Sequence, residues 1–185
     1  MKCFWPVAWV CLVICTACGD TADRQSTGTG ERRYRTTPPS LLYFKNMRSS
    51  NYTVEEQPKS RIELYRLNKY DFSPKAPTLY PVIANNWLED EAYLFLKTND
   101  WEQGFFNPLT VSRDTAWSGD LKTLQPPTPG QQYELALALY ESLKQGEAWY
   151  VAAADSTFTP LFSDGNERAY YLTTVRDYLK LTDND

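Results

Sequence analysis

The stretch TLYPVIANNW, followed by LEDE and then AYLFLKT, restricts the fold of this chain more than any other. Two apolar runs rich in aromatic and β-branched residues flank a short acidic break, so the runs read as strands and Glu89, Asp90 and Glu91 as part of the turn joining them. A hairpin alone is marginal in water and needs further strands or a helix against its apolar face.

Strands are therefore expected on either side. Leu41–Met47 (LLYFKNM) and Arg61–Asn68 (RIELYRLN) precede the hairpin, the second after the polar break EEQPKS. Phe105–Val111 (FFNPLTV) is expected as a short or edge strand, because Pro108 has no N–H to give a central ladder. After QPPTPG the period changes. Ala136, Leu139 and Leu143 share a helical face flanked by Tyr133, Leu137 and Tyr140, and Thr128 before them and Gly146 after them are start and stop signals. Glu147–Asp155 is apolar on both alternating faces, which suits a strand covered on two sides. Tyr171, Leu172, Val175, Tyr178 and Leu179 form a second helical stripe, with Ser163 or Asp164 as its cap. This order predicts one α+β domain over residues 40–185: an antiparallel or mixed sheet of about five to six strands with two helices packed on it. Such a length can bury a core of its own.

The beginning of the chain is of another kind. Met1 and Lys2 are followed by an uncharged run from Cys3 to Ala17. About fifteen residues fall short of the roughly 20 that cross a bilayer, so residues 1–17 read as a secretory signal peptide. Thr16, Ala17 and Cys18 resemble the last three positions of a bacterial lipobox, with Cys15 standing where the motif usually has Leu. The resemblance implies a bacterial lipoprotein: Cys18 carries diacylglycerol on its sulfur, becomes the first residue and attaches the protein to a membrane. Acyl chains contribute about 0.8 kcal/mol per buried methylene, so several of them make a lasting anchor. With Gly19 after the cysteine, the resemblance implies the outer membrane of the cell envelope. The segment GDTADRQSTGTGERRYRTTPP, Gly19–Pro39, is too polar to offset its ordering entropy and reads as a flexible tether.

All four cysteines fall within the first eighteen residues, so after processing only Cys18 remains. Disulfide and thiolate chemistry are then excluded from the domain, and the lack of any histidine removes the commonest general base and zinc ligand. The 19 basic residues less Lys2, against 23 acidic ones, leave a net charge of about −5. That balance disfavours nucleic acid and anionic lipid surfaces as partners, since both reward clustered Lys and Arg. No cofactor or metal motif occurs: phosphate loop, nucleophile elbow, zinc and EF-hand patterns are all missing. Tyr140 and Lys144 are one helical turn apart but lack the dinucleotide fold that would make them catalytic. Asp164–Glu167 (DGNE) supplies too few oxygens for calcium and reads as a helix start.

Aromatic residues are the remaining candidates. In NDWEQGFF, Trp101 lies among acids, Gln103 and two phenylalanines, and Trp117 follows sixteen residues later. Flat rings beside polar groups are what a sugar site or a protein hot spot uses. Trp101, Glu102 and Trp117 are therefore the candidate binding residues. The expectation is a non-enzymatic, lipid-anchored domain that binds an envelope protein, as an accessory subunit or an inhibitor. The alternative is a glycan-binding or acid-based glycan-active domain using Trp101 and nearby carboxylates. The two indoles exposed together would favour glycan.

Overall fold

The structure, a computed structural model, describes residues 34–117, 121–124 and 128–184. Residues 1–33, on which the signal-peptide and Cys18 readings and most of the tether reading fall, lie outside the described residues.

Thr37 opens the first helix, α1 (Pro38–Tyr43). Its Oγ1 accepts the Ser40 N–H at 3.3 Å, and Ser40 Oγ accepts the Thr37 N–H at 3.0 Å, a reciprocal capping box ahead of two prolines that fit the first turn. The helix runs on as a π-helical turn, Phe44–Arg48, and a 3₁₀ turn, Ser49–Asn51. The strand expected over Leu41–Met47 is thus corrected to helix. The cap starts a helix, and Leu41, Phe44 and Arg48 then recur at helical spacing on the face turned to the protein. The folded part also begins before residue 40. The N–H of Thr36 donates to Asp90 O at 2.7 Å and that of Ala92 to Tyr34 O at 2.7 Å, so Tyr34–Thr36 lie along the hairpin.

Among the described residues two antiparallel four-stranded sheets follow, and with three helices they make the expected α+β class. The first, in order β1-β2-β3-β4, comprises β1 (Tyr52–Gln57), β2 (Ile62–Leu67), β3 (Leu79–Asn86) and β4 (Glu91–Thr98). β3 and β4 are the hairpin legible in the sequence; β1 was hidden in a polar stretch. Val54, Tyr65, Ile83 and Leu94 lie in register across this sheet and face the helices. Pro81 sits one residue beyond the last pair with β2, Arg66 with Val82, where no ladder donor is needed. The free edge of β4 is closed: the Leu96 N–H donates to Gln132 Oε1 at 2.8 Å, from the helix lying alongside.

The second sheet, in order β6-β5-β7-β8, has strands of four residues each: β5 (Leu109–Ser112), β6 (Leu121–Leu124), β7 (Trp149–Ala152) and β8 (Phe158–Leu161). The sequence suggests one sheet of five to six strands; the eight strands instead divide between two. β5 is not an edge but lies between β6 and β7, and Pro108 precedes its first paired residue, Leu109, so the missing N–H costs the ladder nothing.

The long helices begin and end as their signals indicate. α2 (Pro129–Gln145) has Thr128 as N-cap, and Gly146 at φ +88° lets its own N–H and that of Glu147 return to Leu143 O and Ser142 O. α3 (Gly165–Leu181) is capped by Asp164, which accepts the Asn166 N–H at 3.0 Å. Tyr171 donates to Ala136 O and Tyr178 to Ala92 O, each at 3.2 Å, pinning α3 to α2 and to the first sheet.

Candidate functional site

NDWEQGFF carries the chain from the first sheet to the second. Asn99 is buried and fixes its start: its Nδ2 donates to Ser73 O and Ala76 O at 2.9 Å, while its Oδ1 accepts the Thr78 N–H. Gly104, at φ +69°, closes the turn by donating to Trp101 O at 2.9 Å. Phe105 bridges to Ala153, and the Phe106 N–H donates to Ala152 O. Consecutive residues point to opposite sides of such an extended segment. Phe105 therefore turns towards Trp101, their centroids 5.3 Å apart, and Phe106 towards Trp117 at 5.0 Å.

This separates the candidate residues. Trp101 is only 6% exposed and belongs to the core, whereas Trp117 is 43% exposed. The two indoles form no shared platform, because each packs on a different phenylalanine. Glu102 is exposed and engages the fold through its backbone, donating to Pro74 O at 2.9 Å.

Around Trp117 the structure builds an aromatic ledge that also includes a residue with no signal in the sequence, Phe158, whose ring centroid is 5.1 Å from the indole. Phe158 pairs with Ala152 on the face of the second sheet opposite Val151 and so points away from the core. Two Asx-type turns hold the ledge. Asp114 Oδ1 accepts the Ala116 N–H at 2.8 Å just before Trp117. Asp155 Oδ1 accepts the Thr157 hydroxyl at 2.7 Å and its N–H at 3.0 Å, leaving Ser156 O to receive the Trp117 Nε1–H at 3.0 Å. The Thr157 hydroxyl, then its N–H, holds the Asp155 carboxyl below its ordinary range. Phe106 also lines a shallow depression of about 440 Å³ together with Leu96, Lys97, Thr98, Phe105, Asn107 and Leu109. The ledge thus offers flat apolar area, and the depression that shares Phe106 with it has a cation and a carboxamide in its lining.

Other polar clusters serve as joints. Asp177, 4% exposed, accepts Arg48 Nε at 3.0 Å, Arg48 Nη2 at 2.9 Å and the Tyr52 hydroxyl at 2.8 Å, tying α3 to the π-helical turn and β1. Burial, then the adjacent Asp177 charge, pushes the Tyr52 hydroxyl far up. Burial acts to raise Glu63, but bonds from Tyr65 (2.8 Å), Lys45 (3.1 Å) and Asn85 (3.1 Å) together hold it below the usual carboxylate range. Glu167 is raised by burial against the opposing bond from Thr78. Asp164 caps its helix, and Lys144 lies 5.0 Å over the Tyr140 ring, so both near-motifs have structural employment. Glu91 receives the Tyr93 hydroxyl at the base of the acidic turn.

A larger cavity of about 610 Å³ opens between β6 and α2, walled by Leu121, Leu124, Leu135 and Ala138. Among the described residues no cluster of three or more His, Cys, Asp or Glu is placed to hold a metal, and no helix is long and apolar enough to cross a membrane. No protein-family model, no curated protein and no solved structure matches the chain.

Proposed function

We propose that this chain is a lipid-anchored, non-catalytic binding domain of the bacterial cell envelope, whose partner is another protein docking on the Phe106–Trp117–Phe158 ledge. The observation that carries the reading is Trp117: a large, partly exposed indole held by its own N–H bond to Ser156 O and flanked by two rings. A pre-oriented aromatic anchor loses little entropy on docking, and a ring of partly buried neighbours keeps water away from it. The shallow depression beside it suits an inserted side chain of a protein partner. The anchoring half of the reading rests on Thr16-Ala17-Cys18.

The burial of Trp101 weighs against a glycan platform built on Trp101 and Glu102, because a sugar cannot stack on a ring already packed in the core. The carboxylates nearest the ledge, Asp114 and Asp155, are held in turn bonds, which gives no support to acid–base chemistry there. Mass spectrometry of the mature N-terminus, with cross-linking in intact envelopes, tests both halves. We expect an acylated Cys18 and a cross-linked protein lost in Trp117→Ala. Replacing Cys18 by Ser should move the protein out of the membrane fraction. An unmodified N-terminus removes the anchor, and cross-linking unchanged in Trp117→Ala removes the ledge.

A further inference from the structure

Seven large hydrophobic side chains are exposed among the described residues, and they are not scattered. Leu42 (62%), Tyr43 (46%) and Met47 (62%) lie on the α1–π-helical segment, and Met47 stands one turn beyond Leu42 and Tyr43 on the same outward face. Trp87 and Leu88 are on the β3–β4 turn, whose Asp90 carbonyl receives the Thr36 N–H just ahead of α1. Val54 faces the helix side beside Tyr65, on which Phe44 packs at 5.0 Å. Only Trp117 lies elsewhere. The exposed apolar surface therefore gathers where the chain joins the folded domain.

We propose that the outward face of this segment, Leu42, Tyr43 and Met47, rests in the surface of the phospholipid bilayer to which Cys18 is attached. The inference rests on the anchoring reading above. Cys18 precedes Tyr34 by sixteen residues, which fully extended reach roughly 55 Å. The junction of chain and domain thus stays within roughly 55 Å of the lipidated sulfur, close enough for the domain to touch the headgroups, and α1 begins four residues beyond it. An apolar helix face with polar flanks lies in the interface with its side chains about 5–10 Å deep. The contact is apolar rather than electrostatic. Both cations of the segment are engaged within the domain, Lys45 with Glu63 at 3.0 Å and Arg48 with Asp177 at 2.9 Å. The acids Glu89 and Asp90 at the neighbouring turn also give anionic headgroups no attraction. Three side chains are too few to hold the domain without its lipid, so the face orients a protein that the anchor retains.

The full lipoprotein, reconstituted in vesicles of phosphatidylethanolamine and phosphatidylglycerol, provides the test. Met47→Cys introduces a thiol that takes a bimane label, since the sulfur of Cys18 is already alkylated. With brominated lipids, emission from position 47 should be quenched, as expected for a side chain seated in the interface. The same label at Asp155→Cys, beside the ledge, should be unaffected, and quenching at 47 should persist in high salt. Leu42→Ser with Tyr43→Ser should reduce quenching at 47 while flotation with vesicles is unchanged. Flotation without quenching overturns the inference and leaves the anchor standing; failure to float removes both. A blue shift without quenching, with a dimer mass in sedimentation, assigns the face to a second copy and also overturns it.

Discussion

The two sheets are built on different principles. The first has strands of six to eight residues, one face covered by α3 and the π-helical turn, and a buried ionic joint from Asp177 to Arg48 and Tyr52 that locks both to its edge strand. The second has strands of only four residues and owes its cohesion to what packs on its inner face, above all Trp149. Cohesion in the first sheet is distributed over a long register. In the second it is concentrated in a few large side chains, which leaves its other face free to carry the aromatic ledge.

If that contrast is right, the largest single effect comes from the second sheet. Trp149 is 1% exposed, donates from Nε1 to Ser142 Oγ at 2.8 Å and lies beneath the Arg113 guanidinium. Trp149→Ala should cost about 4 kcal/mol in urea-induced unfolding, because the cavity of a fully buried indole cannot collapse. A cost near that of a surface truncation would break the comparison. Trp101→Ala should follow at about 3 kcal/mol. A loss of partner binding with stability intact would instead return Trp101 to the surface role that its sequence neighbours suggest.

In the first sheet the sharpest probe is Asp177→Ala, which leaves Arg48 and the Tyr52 hydroxyl without their acceptor. Roughly 3 kcal/mol should be lost, and since the joint ties α3 to the π-helical turn, amide exchange should rise in both elements together. Exchange rising in α3 alone would show that the joint does not couple them.

A smaller effect within the first sheet and the helix packed on it is read by pH. Glu63 on β2 has a folded-state pKa below its unfolded value, so the stability it contributes is present above the unfolded value and lost as pH falls through the folded one. Wild type should therefore lose more stability than Glu63→Gln between about pH 5 and 3. Glu167 acts in the opposite sense. Its folded pKa is raised, so its contribution is present at low pH and fades as pH rises, and Glu167→Gln should gain relative to wild type towards neutrality. Parallel pH curves for wild type and Glu63→Gln would show that the bonds to this carboxylate add nothing.

The same contrast decides what could be read from the sequence. The β3–β4 hairpin and the two long helices are legible because their signals are local: alternation about an acidic turn, and apolar stripes between Thr128 and Gly146 or after Asp164. β1, β6 and β8 are short or polar, and only a non-local partner makes them strands, as Leu67 does for Tyr52 or Trp149 for Leu161. Leu41–Met47 was open to either reading by composition, and the deciding signal was the Thr37–Ser40 capping box outside the apolar run. Of the site, Trp117 was visible and Phe158 was not. Trp101 and Trp117 both have acids nearby, and no local pattern separates them: beyond the Gly104 turn, Phe105 faces Trp101 in the core and Phe106 faces Trp117 on the other side.

The smallest expected change in stability is also the one that most sharpens the role of the second sheet. Trp117→Ala removes two ring contacts and one hydrogen bond at a partly exposed position, so it should cost about 1 kcal/mol. Its effect on partner capture should be far larger, because a docked protein would bury the indole fully and fill the depression beside Phe106. Trp117→Phe divides the contributions: it keeps ring stacking and loses the bond to Ser156 O that fixes the plane. If orientation matters, Trp117→Phe binds almost as poorly as Trp117→Ala while unfolding nearly like wild type. If apolar area alone matters, it binds like wild type. Equal capture by all three would mean that the second sheet concentrates its large side chains for cohesion only, and the partner would have to be sought on the first.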